Sequence, residues 1–211
     1  AVLYPEESEV SLKLPLIKER ILLSNISGRS TLKEIKIKPY YGRFLLCLTM
    51  EEPDRTETPS MPHVCAIDFG TDNFAAIVCD DHSSAIYKGG AVLSNTQWFH
   101  KQRAKYISII TKGHSQMNAT SARLKDLSFH HANFTKDQCH KISRNIIDFC
   151  LEHQAGTLIL GVNPLWKQRT NMGTASNQKF VAMPISILRT MISYKALNAG
   201  IRIIEQEESY T

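Results

Sequence analysis

Hydrophobic and polar positions alternate with period two early in the chain and shift to a helical spacing in its second half. Residues 10–15 alternate around Val10, Leu12 and Leu14, and Pro15 closes the run. Residues 31–51 carry Leu32, Ile35 and Ile37 before Tyr40-Tyr41-Gly42 and Phe44, Leu46 and Leu48 after it, which predicts a two-stranded hairpin. The first fifty residues therefore read as part of a small antiparallel sheet or barrel. Pro53, Pro59 and Pro62 then break a polar stretch as a linker does. Three short apolar runs follow at residues 64–67, 74–79 and 85–87, separated by Asp80-Asp81-His82-Ser83 and similar turns, and predict an antiparallel meander.

From residue 95 to 117, and again from Thr120 onward, the chain is helix-forming, basic and poor in Gly and Pro. After Phe134 we read a helix capped by Thr135, with Asp137 in its first turn and Ile142, Ile146, Phe149 and Cys150 as one apolar stripe ending near Gly156. Residues 157–160 read as a buried parallel strand, 184–198 as a helix stopped by Gly200, and 201–204 as a second buried strand. Three antiparallel strands, then helix, strand, helix and strand, is the element order of a ribonuclease H-like α/β domain. The expected organisation is a partial antiparallel β domain over residues 1–52, a linker at 53–61, and the α/β domain at 62–211.

Composition changes this picture little. The chain has 211 residues, 43% hydrophobic and 21% charged, in the range of ordinary globular proteins. No window approaches the roughly 18 to 20 apolar residues of a membrane span, and Glu6, Glu7 and Glu9 replace the basic region of a signal peptide. We expect a cytoplasmic protein without a membrane partner. The start at Ala1 and the end at Thr211 just past an apolar run suggest a piece excised from a longer chain. Five cysteines without C-x-x-C spacing suggest reduced thiols acting as small hydrophobes rather than metal ligands.

Charge is more informative. The net charge is +5, yet residues 88–147 hold ten basic and two acidic residues, whereas residues 61–87 hold four Asp and no Lys or Arg. Lys101, Arg103, Lys105, Lys112, Arg123 and Lys125, interleaved with Trp98, Phe99 and Tyr106, fit a footprint for a polyanion backbone. They also fit a solvated helix face with its aromatics turned inward. His130, His131 and His140 lack neighbouring Cys or acidic ligands and read as surface or capping residues. The sharpest motif is Ala66-Ile67-Asp68-Phe69-Gly70-Thr71-Asp72, a carboxylate ending a strand before a turn. Such an Asp can hold a divalent metal at a sheet's carboxyl edge, can contact nucleotide phosphates in a D-x-G-T turn, or can merely cap local N–H groups.

Further motifs occur in fixed order: His140-Lys141-Ile142-Ser143, Leu160-Gly161-Val162-Asn163, Trp166-Lys167-Gln168, Asn171-Met172-Gly173, Asn177-Gln178-Lys179-Phe180, Tyr194-Lys195-Ala196 and Glu207-Glu208-Ser209-Tyr210-Thr211. Together they resemble the OrfB (TnpB) family, insertion-sequence RNA-guided nucleases related to type V CRISPR effectors and described as transposases. The resemblance spans residues 62–211, with a looser likeness of residues 10–52 to the end of an N-terminal β-barrel domain. It implies a RuvC-like fold, DNA and guide RNA as partners, and hydrolysis of DNA phosphodiesters by a two-Mg²⁺ site. Asp68 matches the first catalytic Asp and metal ligand. The second carboxylate, usually a Glu ending the fourth strand, is replaced by Gly161, so the resemblance points to Glu208 or Glu207 instead, with Glu208 also a metal ligand. A zinc-binding segment and a third Asp are expected beyond residue 211, so the two-metal site is expected in the parent protein, and this chain by itself is expected to hold Mg²⁺ poorly and to be inactive. Lys101, Arg103, Lys105, Arg123, Lys125, Lys141, Trp166, Lys167 and Gln168 are the expected nucleic-acid contacts. Two alternatives stay open: a catalytically inactive nucleic-acid-binding relative, and a D-x-G-T phosphotransferase.

Overall fold

The structure is a computed structural model that describes residues 2–5, 10–15, 17–23, 31–51, 61–112, 120–162 and 183–207. The chain divides into two compact units, Ala1–Glu57 and Thr58–Thr211. In the first unit, β1 (Val2–Pro5), β2 (Val10–Lys13) and β3 (Ile21–Leu23) form a three-stranded antiparallel sheet. The strands β4 (Thr31–Tyr40) and β5 (Arg43–Glu51) pair separately as a two-stranded ribbon. Tyr41 and Gly42 both have positive φ, 48° and 81°, which matches the turn twist to that of the flanking strands.

The second unit holds a five-stranded sheet flanked by helices. Its strands are β6 (His63–Asp68), β7 (Asn73–Cys79), β8 (Ser84–Lys88), β9 (Ala155–Val162) and β10 (Arg202–Glu207). The order is β10-β9-β6-β7-β8: β6, β7 and β8 run antiparallel in sequence, and β9 and β10 add in parallel on the other side of β6. This is the mixed, ribonuclease H-like sheet that the element order predicts. The helices are α1 (Gly90–Thr111), α2 (Ala122–Glu152) and α3 (Ile185–Ala199). Short turns suffice within the antiparallel part, whereas returning to a parallel strand needs a crossover of a dozen or more residues.

One face of the sheet packs into the core. Cys65, Ile67, Ile77, Leu158 and Leu160 are at most 3% exposed and cluster with Ile146, Leu188 and Ile192 of the helices. The opposite face carries Val78 at 52% and Ile86 at 60% exposure. All five cysteines are free. Cys65 and Cys79 face each other across β6 and β7. A hydrogen bond with Cys150, followed by burial, pushes the Cys65 thiol up, and burial raises Cys79 to about 12. Both therefore stay neutral at physiological pH and pack as small hydrophobes.

Several local expectations are corrected. Thr135 is not a cap: α2 runs unbroken through it, and the cap is Ser121, whose Oγ accepts from the Leu124 N–H at 3.2 Å. The apolar residues after Phe134 continue a stripe begun at Leu124, so no restart is needed. Gly156 does not stop that helix, which ends at Glu152; the left-handed residue is Gln154, with φ of 51°. Gly156 lies inside β9, where a Cβ would run into the Met61 carbonyl oxygen. The strand expected to be buried at 201–204 is so only in part: Ile201 is in the core, but β10 begins at Arg202, forms the sheet edge and has most of its residues exposed. The first helix begins at Gly90, five residues before the expected start.

Candidate functional site

Asp68 ends β6, the middle strand of the five. Along β6 the core-facing residues are Cys65 and Ile67, so alternation turns Ala66 and Asp68 to the open face. Asp68 is exposed. The turn that follows is tightly held: Phe69 is 3% exposed, and the Gly89 N–H donates to the Asp72 carbonyl at 3.2 Å. Gly70 is required because a Cβ there would sit 2.9 Å from the Asn73 carbonyl oxygen. A fixed turn fixes the strand end, and with it the carboxylate.

Strand register decides what stands beside Asp68. Ile67 pairs with Leu160, so the next step sets Asp68 beside Gly161, and Gly161 pairs with Gln206. A groove of about 430 Å³ opens there, floored by Ala66, Ala76 and Ile159 and bounded by Asp68, Gly161 and Gln206. Glu207 is level with Val162, one step further on. It shares strand parity with Glu205, which accepts from Arg189 Nη2 of α3 at 2.9 Å, so alternation gives it the helix-bearing side. Glu208 lies outside the described residues, as do Trp166, Lys167, Gln168 and the motifs at 163, 171–173 and 177–180. Among the described residues no three His, Cys, Asp or Glu side chains come together as a metal site. Among its described residues the groove thus supplies one carboxylate suited to Mg²⁺, and these residues do not by themselves fit a two-ion centre.

The predicted cations separate into two settings. Lys101, Arg103 and Lys105 are exposed along α1. Arg123 and Lys125 open α2, where the Arg123 guanidinium lies over the Tyr106 ring, 4.7 Å from its centroid. Lys141 is paired with Asp137 at 2.7 Å one helical turn away. Two of the histidines also have local partners: His131 stacks on Phe99 at 4.2 Å and hydrogen-bonds to Asn95 Oδ1, and His130 lies 3.5 Å from Asp126. Among the described residues no helix is long and apolar enough to cross a membrane.

Two sets of contacts escaped the sequence reading. Lys195 Nζ of α3 donates to the His140 carbonyl and to Ser143 Oγ of α2, both at 2.7 Å. Two motifs noted separately in the sequence are thereby joined, and burial lowers the Lys195 pKa, with Arg144 adding to the effect. Ser143 is fully buried, so the pair is a clasp between helices rather than an exposed nucleophile. At the sheet end away from Asp68, His63 bonds to Asp80 and His153 to Asp81, each at 2.8 Å, holding the β7–β8 turn. The only sequence signal for this was the Asp80-Asp81-His82 turn itself.

Comparison with known proteins places the chain. The OrfB_IS605 family, described as "Probable transposase", matches residues 46–165. That is more than half of the chain, and the chain belongs to this family. No curated protein matches it. Among solved structures it is similar to Cas12f1 in a cryo-EM complex with sgRNA and target DNA, at 14% identity and a TM-score of 0.54 over 83% of this chain and 42% of that one. It is also similar to Cas12f in a cryo-EM ternary complex, at 17% identity and a TM-score of 0.50 over 84% of this chain and 35% of that one. Those likenesses concern the fold, and this chain spans less than half the length of either structure.

Proposed function

We propose that this transposase-family chain is part of an RNA-guided, Mg²⁺-dependent DNA endonuclease, with Asp68 as its first catalytic carboxylate. The supporting observation is the position of Asp68: exposed, on the open face, at the carboxyl end of the middle strand of a ribonuclease H-like sheet. Glu208 is the second carboxylate of this reading. It follows Glu207 in the chain and is the carboxylate that the family resemblance favours in place of the Glu missing at Gly161. Gly161 leaves the space between Asp68 and Gln206 free of a side chain, so a scissile phosphate can approach the sheet edge.

A bound divalent ion would supply Lewis-acid stabilisation of the phosphate and a more acidic water. Asp68 and Glu208 would hold and orient it, and the cations of α1 and the start of α2 would hold nucleic-acid backbone. Family membership favours this over the D-x-G-T phosphotransferase, for which no second D-x-G occurs in the chain.

The test is cleavage of target DNA by the whole protein of which this chain is part, with its guide RNA and Mg²⁺. Asp68→Ala and Glu208→Gln should each abolish cleavage while nucleic-acid binding persists, and Glu207→Gln should retain it. Undiminished cleavage in Asp68→Ala overturns the assignment. Binding without cleavage by the unmodified protein instead establishes the binding-only reading, to which Gly161 at the position of the family's usual Glu lends support.

A further inference from the structure

The two sides of α1 differ in what they meet. Val92, Thr96 and Thr111 are buried, and Phe99 stacks on His131 of α2, so that flank faces inward. Away from it stand Trp98, Lys101, Lys105 and Ile109, separated by three, four and four residues and all exposed. That spacing sets them in one row along the helix. Trp98 is 53% exposed, an unusual setting for an indole, and no ring contact among the described residues covers it. The helix carries Lys101, Arg103 and Lys105 and no carboxylate, and none of the three is ion-paired among the described residues.

We propose that this row is a stacking site for an unpaired nucleobase, with Trp98 against the base and Lys101 and Lys105 on the adjoining phosphates. The proposal rests on the nucleic-acid reading above and adds which state of the strand α1 takes. Charge chooses the occupant: a carboxylate-free helix whose cations have no ion-pair partner among the described residues attracts a polyanion, and it offers no anionic partner to a basic protein surface. The indole then chooses the strand state. A duplex presents phosphates but keeps its base faces stacked inside, whereas a single strand offers both together, and base–aromatic stacking tolerates any sequence. At a rise of about 1.5 Å per residue, Lys101 and Lys105 stand about 4.5 and 10.5 Å beyond Trp98 along the helix, so the bound backbone runs along α1 from the stacked base.

The experiment titrates the full chain, and its Trp98→Phe and Trp98→Ala variants, with a short oligothymidylate and with a blunt duplex of the same length. The difference between the emission of the unmodified protein and that of Trp98→Phe isolates the Trp98 signal. We expect that signal to be quenched by the single strand and unchanged by the duplex. Trp98→Ala should weaken single-strand binding by about 5- to 150-fold, with Trp98→Phe recovering most of it. Lys101→Ala and Lys105→Ala should each lower the slope of log affinity against log salt by about 0.7. Single-strand binding with unquenched Trp98 and no loss in Trp98→Ala overturns the stacking site and leaves the nucleic-acid reading standing. Failure to bind either nucleic acid defeats both. Quenching that follows protein concentration without oligonucleotide makes the row a contact between copies and overturns the proposal.

Discussion

Ile77 and Val78 are neighbours in one strand and stand in opposite worlds. Ile77 is 2% exposed beneath the helices, and Val78 is 52% exposed on the open face. The first side builds the molecule. The second, apolar but uncovered by any described helix, carries Asp68 at its carboxyl edge. Local sequence makes both residues good strand formers, so the difference lies in what packs above them. A face that no described helix covers leaves the Asp68 carboxylate exposed, and the face beneath the helices supplies the stability.

The largest expected effect breaks the covered side. Ile77→Ala should lose about 2–5 kcal/mol of unfolding free energy, measured by denaturant titration, because it removes buried methylenes and leaves a cavity. On the open side, Asp68→Asn should leave that titration curve in place and lower cleavage by at least about 100-fold, since a hard anionic donor is lost without any packing. A smaller effect sharpens the covered side: Ser121→Ala should cost about 1 kcal/mol by leaving an N–H at the start of α2 without its cap. Val78→Ala should stay within about 0.5 kcal/mol, and a loss as large as that of Ile77→Ala would mean the open face is covered in solution.

The smallest expected effect is a pH slope at the far end of the sheet. The Ser83 backbone N–H, aided by His153, holds the Asp81 carboxyl at about 2, below its ordinary 3.8. The folded state therefore binds this proton less readily than the unfolded chain. Its contribution is complete above pH 3.8 and is lost as pH falls through about 2. Unfolding midpoints measured across that window should fall less steeply for Asp81→Asn than for the unmodified protein.

Much of the fold was readable because its signals are local. Short apolar runs at 64–67, 74–79 and 85–87 became β6, β7 and β8, and Gly200 caps α3 with φ of 77° as the sequence suggested. The errors arose where a local signal competed with distant packing. Thr135 and Asp137 imitate a helix start, but the burial of Leu124, Cys139 and Ile146 on one stripe carries α2 straight through them. Ile201-Arg202-Ile203-Ile204 looks like a buried strand, and only the strand order makes it an edge.

The candidate site divides the same way. The chain alone marks Asp68, through a strand, a carboxylate and a turn, and it concentrates positive charge between residues 88 and 147. It also carries the ordered motifs of the OrfB family. What it could not determine is that Gly161 and Gln206 line up beside Asp68, that Glu207 shares the side of Glu205, or that Lys195 clasps Ser143. Those facts depend on register and strand order, which join residues far apart in sequence. Periodicity fixes which residues share a face, and only the packing of helices against one side decides which face becomes core and which stays open to a ligand.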